Sequence, residues 1–351
     1  LMDQPMPNPP TNSMTDTAAF APFVRILGRG PGKSRALTRD EARTAMTLIL
    51  EDRVAPEQLG AFLMLMRYRR ETAEELAGFV EAARTLLPAL PGDAPDVDLD
   101  WPSYADRHKQ LPWFVLAALL LAKNGVTIAM HGIAGQEEDC APTTRAALAH
   151  LGITPCASLE DAAAKLPRES LVYLPLENFA PQLDALFALR PLFSLRSPVN
   201  SFARALNPLG ARAHVTGVFH PDFRDLHRDT SRLTGQACAG VFKGGGGEAQ
   251  RNPLKPCLVV TLSDGVDGEE EWPALAQGKA YDWRGEAYEV TRLSALWKGE
   301  LENPIATAAV TGSAALALKL LGHAETVTQA DAMAQQMWAQ RPPLDLPEGT
   351  P

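Results

Sequence analysis

The sequence predicts an α/β protein: a small all-helical N-terminal domain, then a larger α/β domain with a mixed, mostly parallel central sheet. Three observations predict it. The 351-residue chain exceeds the length at which one core stops growing, so two domains are expected. Residues 21–90 read as successive helices with capping signals at their starts. From residue 113 onward, helices alternate with short β-branched runs, and alternation on that scale implies a parallel or mixed sheet.

The elements follow in order. Residues 1–20 are rich in Pro, Asn, Thr and Met, lack periodicity and are expected to be a disordered tail. The next stretch carries Arg25, Arg29, Lys33, Arg35 and Arg39. Its Gly-Pro-Gly-Lys-Ser (30–34) suggests a phosphate-binding loop but fails the pattern, because Leu27 stands where a glycine is required. A solvated turn before a helix is the plainer reading, with a second cationic patch as the alternative. Thr38-Arg39-Asp40-Glu41 is a capping box that opens a helix to about residue 52. Pro56 starts another helix through Arg69, and Thr72 to Glu75 caps a third to about residue 87. Residues 91–98 form a linker by composition.

In the second domain, residues 113–123 read as a buried helix and 126–130 as a strand. Residues 143–151 and 159–166 read as helices, 171–176 as a strand. A strand over 214–219, a helix over 221–235 and a strand over 237–242 make a βαβ unit that enters a four-glycine loop, 244–247. A further strand is expected over 258–262 and an Ala-rich helix over 305–321. The acidic cluster 264–271 lacks the spacing of a Ca²⁺ loop and reads as a solvated loop. Residues 98–340 thus form the α/β domain, and 341–351 a frayed tail.

Composition narrows the function classes. Hydrophobic content of 46% and charged content of 21% are those of an ordinary globular protein. A formal charge of −9 argues against a protein that is basic all over, yet leaves room for a local cationic groove. Four isolated cysteines make neither a zinc site nor a disulfide framework, which fits a reducing cytoplasm. The longest apolar run, 111–122, is too short to cross a bilayer, and no export signal is expected. No metal and no cofactor are called for.

Residues 214–253 carry the densest chemistry. On the helix, Phe223, Leu226, Thr230 and Leu233 recur at core-facing spacing, while Arg224, Arg228 and Arg232 stack four apart on a solvent-facing stripe with His227 beside it. Lys243 and Arg251 flank the glycine loop, which could form an anion-binding nest of N–H groups or a hinge. Asp222, Asp225 and Asp229 share the helix and could pair with the stripe. Upstream, Arg107, His108 and Lys109 lie among Trp101, Tyr104 and Trp113. Cations interleaved with rings suit single strands. The tryptophans are expected to be core, and Tyr104 is the ring expected to be open.

A helical N-terminal unit before a larger α/β domain resembles the anthranilate phosphoribosyltransferase fold of glycosyltransferase family 3, related to the nucleoside phosphorylase class II type. The resemblance spans roughly residues 21–340, and its catalytic motifs are altered. The family's glycine-rich pyrophosphate turn is replaced by Trp101-Pro102-Ser103-Tyr104-Ala105, and its Lys-His-Gly-Asn motif by Met130-His131-Gly132-Ile133. Its metal-binding acid pair leaves at most Glu248. Arg196 matches the arginine that contacts anthranilate, so His131, Gly132 and Arg196 read as a remnant transferase pocket. Residues 29–42, 101–113 and 196–208 resemble the YbiB proteins, a branch that keeps the scaffold. That resemblance implies a homodimer built from the N-terminal helices, with a returning helical segment near 177–195. It implies binding to single- and double-stranded DNA, with RNA a further candidate, and no transferase activity. On this reading the nucleic-acid contacts are Arg107, Lys109, Tyr104, Arg224, Arg228, Arg232, Lys243 and Arg251. The alternatives are a phosphoribosyl or glycosyl transferase with an unknown substrate, and a dimeric partner-binding module.

Overall fold

The computed structural model describes residues 14–92, 94–105, 110–135, 142–276 and 285–344. Four helices lead the chain: α1 (Met14–Gly28), α2 (Arg39–Leu50), α3 (Pro56–Arg69) and α4 (Ala73–Arg84). Helix α1 corrects the expectation of a tail for residues 14–20, because Phe20 is fully buried and meets Phe62 edge-on at 5.3 Å; residues 1–13 lie outside the described residues. Both expected capping boxes form. Thr38 accepts from the Glu41 N–H and Thr72 from the Glu75 N–H, each glutamate returning to the cap's own N–H. Glu75 also accepts the Leu37 N–H at 2.8 Å, tying the start of α2 to that of α4.

The sheet then begins with β1 (Leu99–Ser103), α5 (Phe114–Ala122), β2 (Ile128–Gly132), α6 (Thr144–His150), α7 (Leu159–Glu169) and β3 (Leu171–Pro175). Four short helices follow, α8 (Leu176–Phe179), α9 (Pro181–Phe187), α10 (Arg190–Phe193) and α11 (Val199–Phe202). They return to the leading helices, where Phe202 of α11 packs on Phe79 of α4 at 5.5 Å. The chain continues through β4 (Ala213–Val218), α12 (Arg224–Leu233) and β5 (Cys238–Lys243). It closes with β6 (Cys257–Ser263), β7 (Val266–Trp272), α13 (Thr291–Lys298), α14 (Pro304–Leu320) and α15 (Val327–Ala339).

The seven strands lie in the order β3-β2-β1-β4-β5-β6-β7. The first five run parallel, and β6 and β7 form an antiparallel hairpin at one edge. The expected mixed, mostly parallel sheet is therefore present. Both faces of the parallel part are buried, as such sheets require. Trp101, Met130 and Tyr173 pack toward α5, α14 and α15, whereas Ala129, Val172 and Leu174 pack toward the helical unit and α7. Trp101 and Trp113 are fully buried, as expected.

Three sequence readings are corrected. The acidic segment 264–271 is mostly strand β7, not a loop; its acids hold a solvent-facing edge, where charge discourages pairing with another chain. Strand β1 is absent from the sequence reading, since Pro102 and Asp100 disguise it. The end of the chain is held as far as residue 344 is described. There Arg341 lies over the Trp338 ring at 4.1 Å and the Trp297 indole donates to Pro342 O at 2.9 Å.

Strand order reverses between β1 and β4: the chain steps outward to β2 and β3 on one side, then to β5 on the other. Ligands of open α/β sheets bind in the crevice beyond the strands' carboxyl ends at such a switch point. Here that crevice faces the helical unit across the ends of β1 and β4.

Candidate functional site

The arginine stripe of α12 does not form an open cationic face. Arg224 spends its guanidinium on the carbonyls of Pro221 and Leu258, both at 3.1 Å. Arg228 sits between Asp225 at 3.1 Å, Asp229 at 3.0 Å and Asp267 at 3.7 Å, and Arg232 pairs with Asp229 at 3.2 Å and with Asp267. Asp267 belongs to β7, so the acidic segment of the sequence neutralises the basic one. Exposed pairs of this kind add little stability, but they cancel the field the stripe would project.

Two further expected contacts are corrected by burial. Arg251 is fully buried, paired with Asp331 at 2.8 Å, bonded to Pro273 O at 2.6 Å and lying over the Trp272 ring at 4.8 Å. Tyr104, expected to be open, is fully buried and stacked on Phe187 at 5.6 Å. Lys243 is exposed at the end of β5. Arg107 and Lys109 lie outside the described residues.

Tyr104 instead starts a buried polar chain. Its hydroxyl meets His131 Nδ1 at 2.8 Å, His131 Nε2 meets Asp100 Oδ1 at 3.2 Å, and Asp100 Oδ2 meets His214 Nδ1 at 2.7 Å. Thr216 Oγ1 closes the chain on His214 Nε2. Each imidazole thus turns one ring nitrogen to Asp100 and the other to a hydroxyl, that of Tyr104 or of Thr216. Burial pushes the Asp100 carboxyl up, but the charge on His131 and the imidazole hydrogen bonds outweigh it and hold the group down at about 2. The chain stitches β2, β1 and β4 together under the switch point. His131 is thus a structural residue of this network, and neither it nor Gly132 lines the cleft above. Gly132 is needed for packing, since a Cβ there would fall 2.0 Å from Ser103 O.

The glycine loop is likewise committed. The N–H groups of Gly244 and Gly245 donate to Val218 O and Gln250 O, and that of Gly247 to Gly244 O, which rules out a nest built from those three. Its glycines permit close approach instead, because a Cβ on Gly217 or Gly244 would fall 2.0 or 1.7 Å from Glu248 O. Glu248 turns inward and accepts the Ala105 N–H at 2.7 Å. Burial raises its carboxyl above the ordinary carboxylate range against the opposing charge of Arg204. Among the described residues no group of three or more His, Cys, Asp or Glu side chains is placed to hold a metal ion. With Glu248 spent on the Ala105 N–H, the described residues do not fit the Mg²⁺ site that the fold would suggest.

What does occupy the switch point is an open cleft. Arg67 enters from the end of α3, Arg196 and Asn200 from the returning segment, Phe219 and His220 from beyond β4, and His227 from α12. Arg204 forms part of its floor. It is buried and donates to Asn200 O at 3.2 Å, Gly217 O at 3.0 Å and Gly247 O at 2.9 Å, clamping three segments. His227, read as lying beside the exposed stripe, faces inward. Burial, then the charge of Arg204, pushes its imidazole down to about 3, so it is neutral.

A second depression continues the cleft outward, sharing Arg67, His220 and Phe223 and adding Tyr68, Arg70, Glu71, Leu195 and Asp222. Arg67, Arg70 and His220 are exposed and Arg196 is half-buried. Of the two acids, Glu71 is buried, which raises its carboxyl above the ordinary range and weakens its opposition to the arginines. Arg70 caps α3 with φ 64° and ψ 135°, a backbone state costly for a residue with a Cβ and more frequent at binding sites. Arg196 of this cleft is expected from the sequence, whereas Arg67, Tyr68, Arg70 and His220 are not. The run Arg67-Tyr68-Arg69-Arg70 is the signal that could have found them.

Comparison with known proteins agrees with this architecture. Residues 22–86 match the glycosyl transferase family, helical bundle domain. Over 249 residues the chain is 28% identical to the uncharacterized protein YbiB of Escherichia coli (strain K12), covering 70% of this chain and 76% of that protein. Over 324 residues it is 27% identical to anthranilate phosphoribosyltransferase of Methylocella silvestris, covering 90% of each. The crystal structure of anthranilate phosphoribosyltransferase from Thermus thermophilus superposes with a TM-score of 0.74 at 23% identity, over 90% of this chain and 94% of that one. The enzyme from Saccharomyces cerevisiae in complex with PRPP and Mg gives 0.73 at 13% identity, over 94% and 95%. The chain has the anthranilate phosphoribosyltransferase fold, and in sequence it is similar both to those enzymes and to YbiB.

Proposed function

We propose that this protein binds nucleic acid with little sequence preference and does not catalyse phosphoribosyl transfer. The observation that carries the reading is the cleft at the switch point. It presents Arg67 and Arg70 to solvent with Arg196 half-buried beside them, while Glu248, the carboxylate at the family's metal position among the described residues, is turned away to hold the Ala105 N–H. Guanidinium groups spaced along an open groove suit a chain of phosphates, which they contact bidentately whatever the bases. Lys243, exposed at the same carboxyl edge of the sheet, extends the track. DNA and RNA backbones are both candidates. A homodimer through the N-terminal helices is part of the proposal.

A second reading, transfer of a phosphoribosyl group to an unidentified acceptor, draws on Arg196 in the cleft and on the similarity to the enzymes. It lacks a metal site among the described residues. Titration calorimetry separates the two. A random single-stranded oligonucleotide should give heat of binding, and phosphoribosyl pyrophosphate with Mg²⁺ should give none. Heat from the sugar pyrophosphate without heat from the oligonucleotide would reverse the assignment.

A further inference from the structure

Tyr68 is 89% exposed, the most exposed of the large hydrophobic side chains among the described residues. It stands on the last turn of α3 between Arg67 and the strained Arg70, at the mouth of the cationic depression. A second ring, Phe219, is 55% exposed where the chain leaves β4 and lines the inner cleft. Arg67 and His220 belong to both depressions, so the rings and the cations line one continuous path from Tyr68 to Phe219. Phosphate contacts alone would not call for an open phenol. An aromatic face beside guanidinium groups fits a flat π-surface attached to a phosphate chain.

We infer that the cleft takes a single, unpaired strand, with one base stacked on Tyr68 while Arg67, Arg70 and Arg196 follow its phosphates. This rests on the nucleic-acid reading and narrows it to a strand class. In a duplex each base already stacks on its neighbours, leaving no face for the ring.

Fluorescence anisotropy with three fluorescein-labelled ligands tests the inference: an unstructured single strand, an abasic strand of equal length and a duplex. Wild-type protein should bind the base-bearing strand about tenfold more tightly than the abasic one, the scale of one base–aromatic stack. Tyr68→Ala should abolish that gap, Tyr68→Phe should keep it, and abasic-strand affinity should be alike in all three proteins. A wild-type gap that is absent, one that survives Tyr68→Ala, or a duplex bound as tightly as the base-bearing strand overturns the inference and leaves phosphate binding intact. Failure of every ligand to bind overturns the nucleic-acid reading with it. A change in self-association of Tyr68→Ala by light scattering would assign the ring to a contact between copies and sink the inference.

Discussion

At the scale of single residues, similar side chains divide by what surrounds them. Seven arginines make the point. Arg204 and Arg251 are buried and spent on carbonyls or an aspartate, Arg224 is spent on carbonyls, Arg228 and Arg232 are neutralised, and only Arg67 and Arg70 of the seven stand exposed in the cleft. Residue type could not separate these fates. His227 gives a test at this scale. Its imidazole is held at about 3, below the ordinary 6.5, so between those values the unfolded chain binds a proton that the folded chain does not. Stability from this group is therefore present above pH 6.5 and is lost as pH falls toward 3. His227→Gln should flatten the decline of the urea midpoint between about pH 6.5 and 4, a window above that in which Asp100 titrates. An unchanged pH profile would show that His227 is not buried neutral.

At the scale of elements, local signals were legible and distant pairings were not. The capping boxes at Thr38 and Thr72 could be read because cap and glutamate lie three residues apart. Thr72→Ala should cost about 1 kcal/mol in denaturant unfolding. Glu75→Ala should cost more, since it also strands the Leu37 N–H in a buried position. Equal losses would mean that the bond between α2 and α4 contributes nothing. The four-residue spacing of Arg224, Arg228 and Arg232 correctly placed them on one helix. Asp267, the partner that Arg228 and Arg232 share, lies 35 residues beyond Arg232, on a strand whose run of acids hides its β character. The burial of Tyr104 was hidden for a similar reason: its partners His131 and Phe187 come from other elements. The cleft is the extreme case, because its lining comes from four separate parts of the chain and only Arg67 to Arg70 forms a local motif.

At the scale of the whole molecule, the sheet order brings those parts together. Alternating helices and strands made the fold class legible, and the reversal between β1 and β4 then places the crevice under the helical unit. On this scaffold a buried Tyr104–His131–Asp100–His214 chain underlies a cleft with solvent-facing guanidinium groups and no metal-holding cluster among the described residues. The central claim is that phosphates are held in that cleft and not along the α12 stripe. The most direct measurement is affinity for a random single strand across a salt series. Wild-type protein should be compared with Arg67→Ala/Arg70→Ala/Arg196→Ala and with the charge-balanced Arg228→Ala/Asp267→Ala. The triple variant should weaken binding to every sequence and flatten the slope of log K against log salt by about 2, at about 0.7 for each phosphate no longer held. The charge-balanced variant should keep the wild-type slope. A triple variant with the wild-type slope, or a flattened slope in the charge-balanced one, would contradict the account.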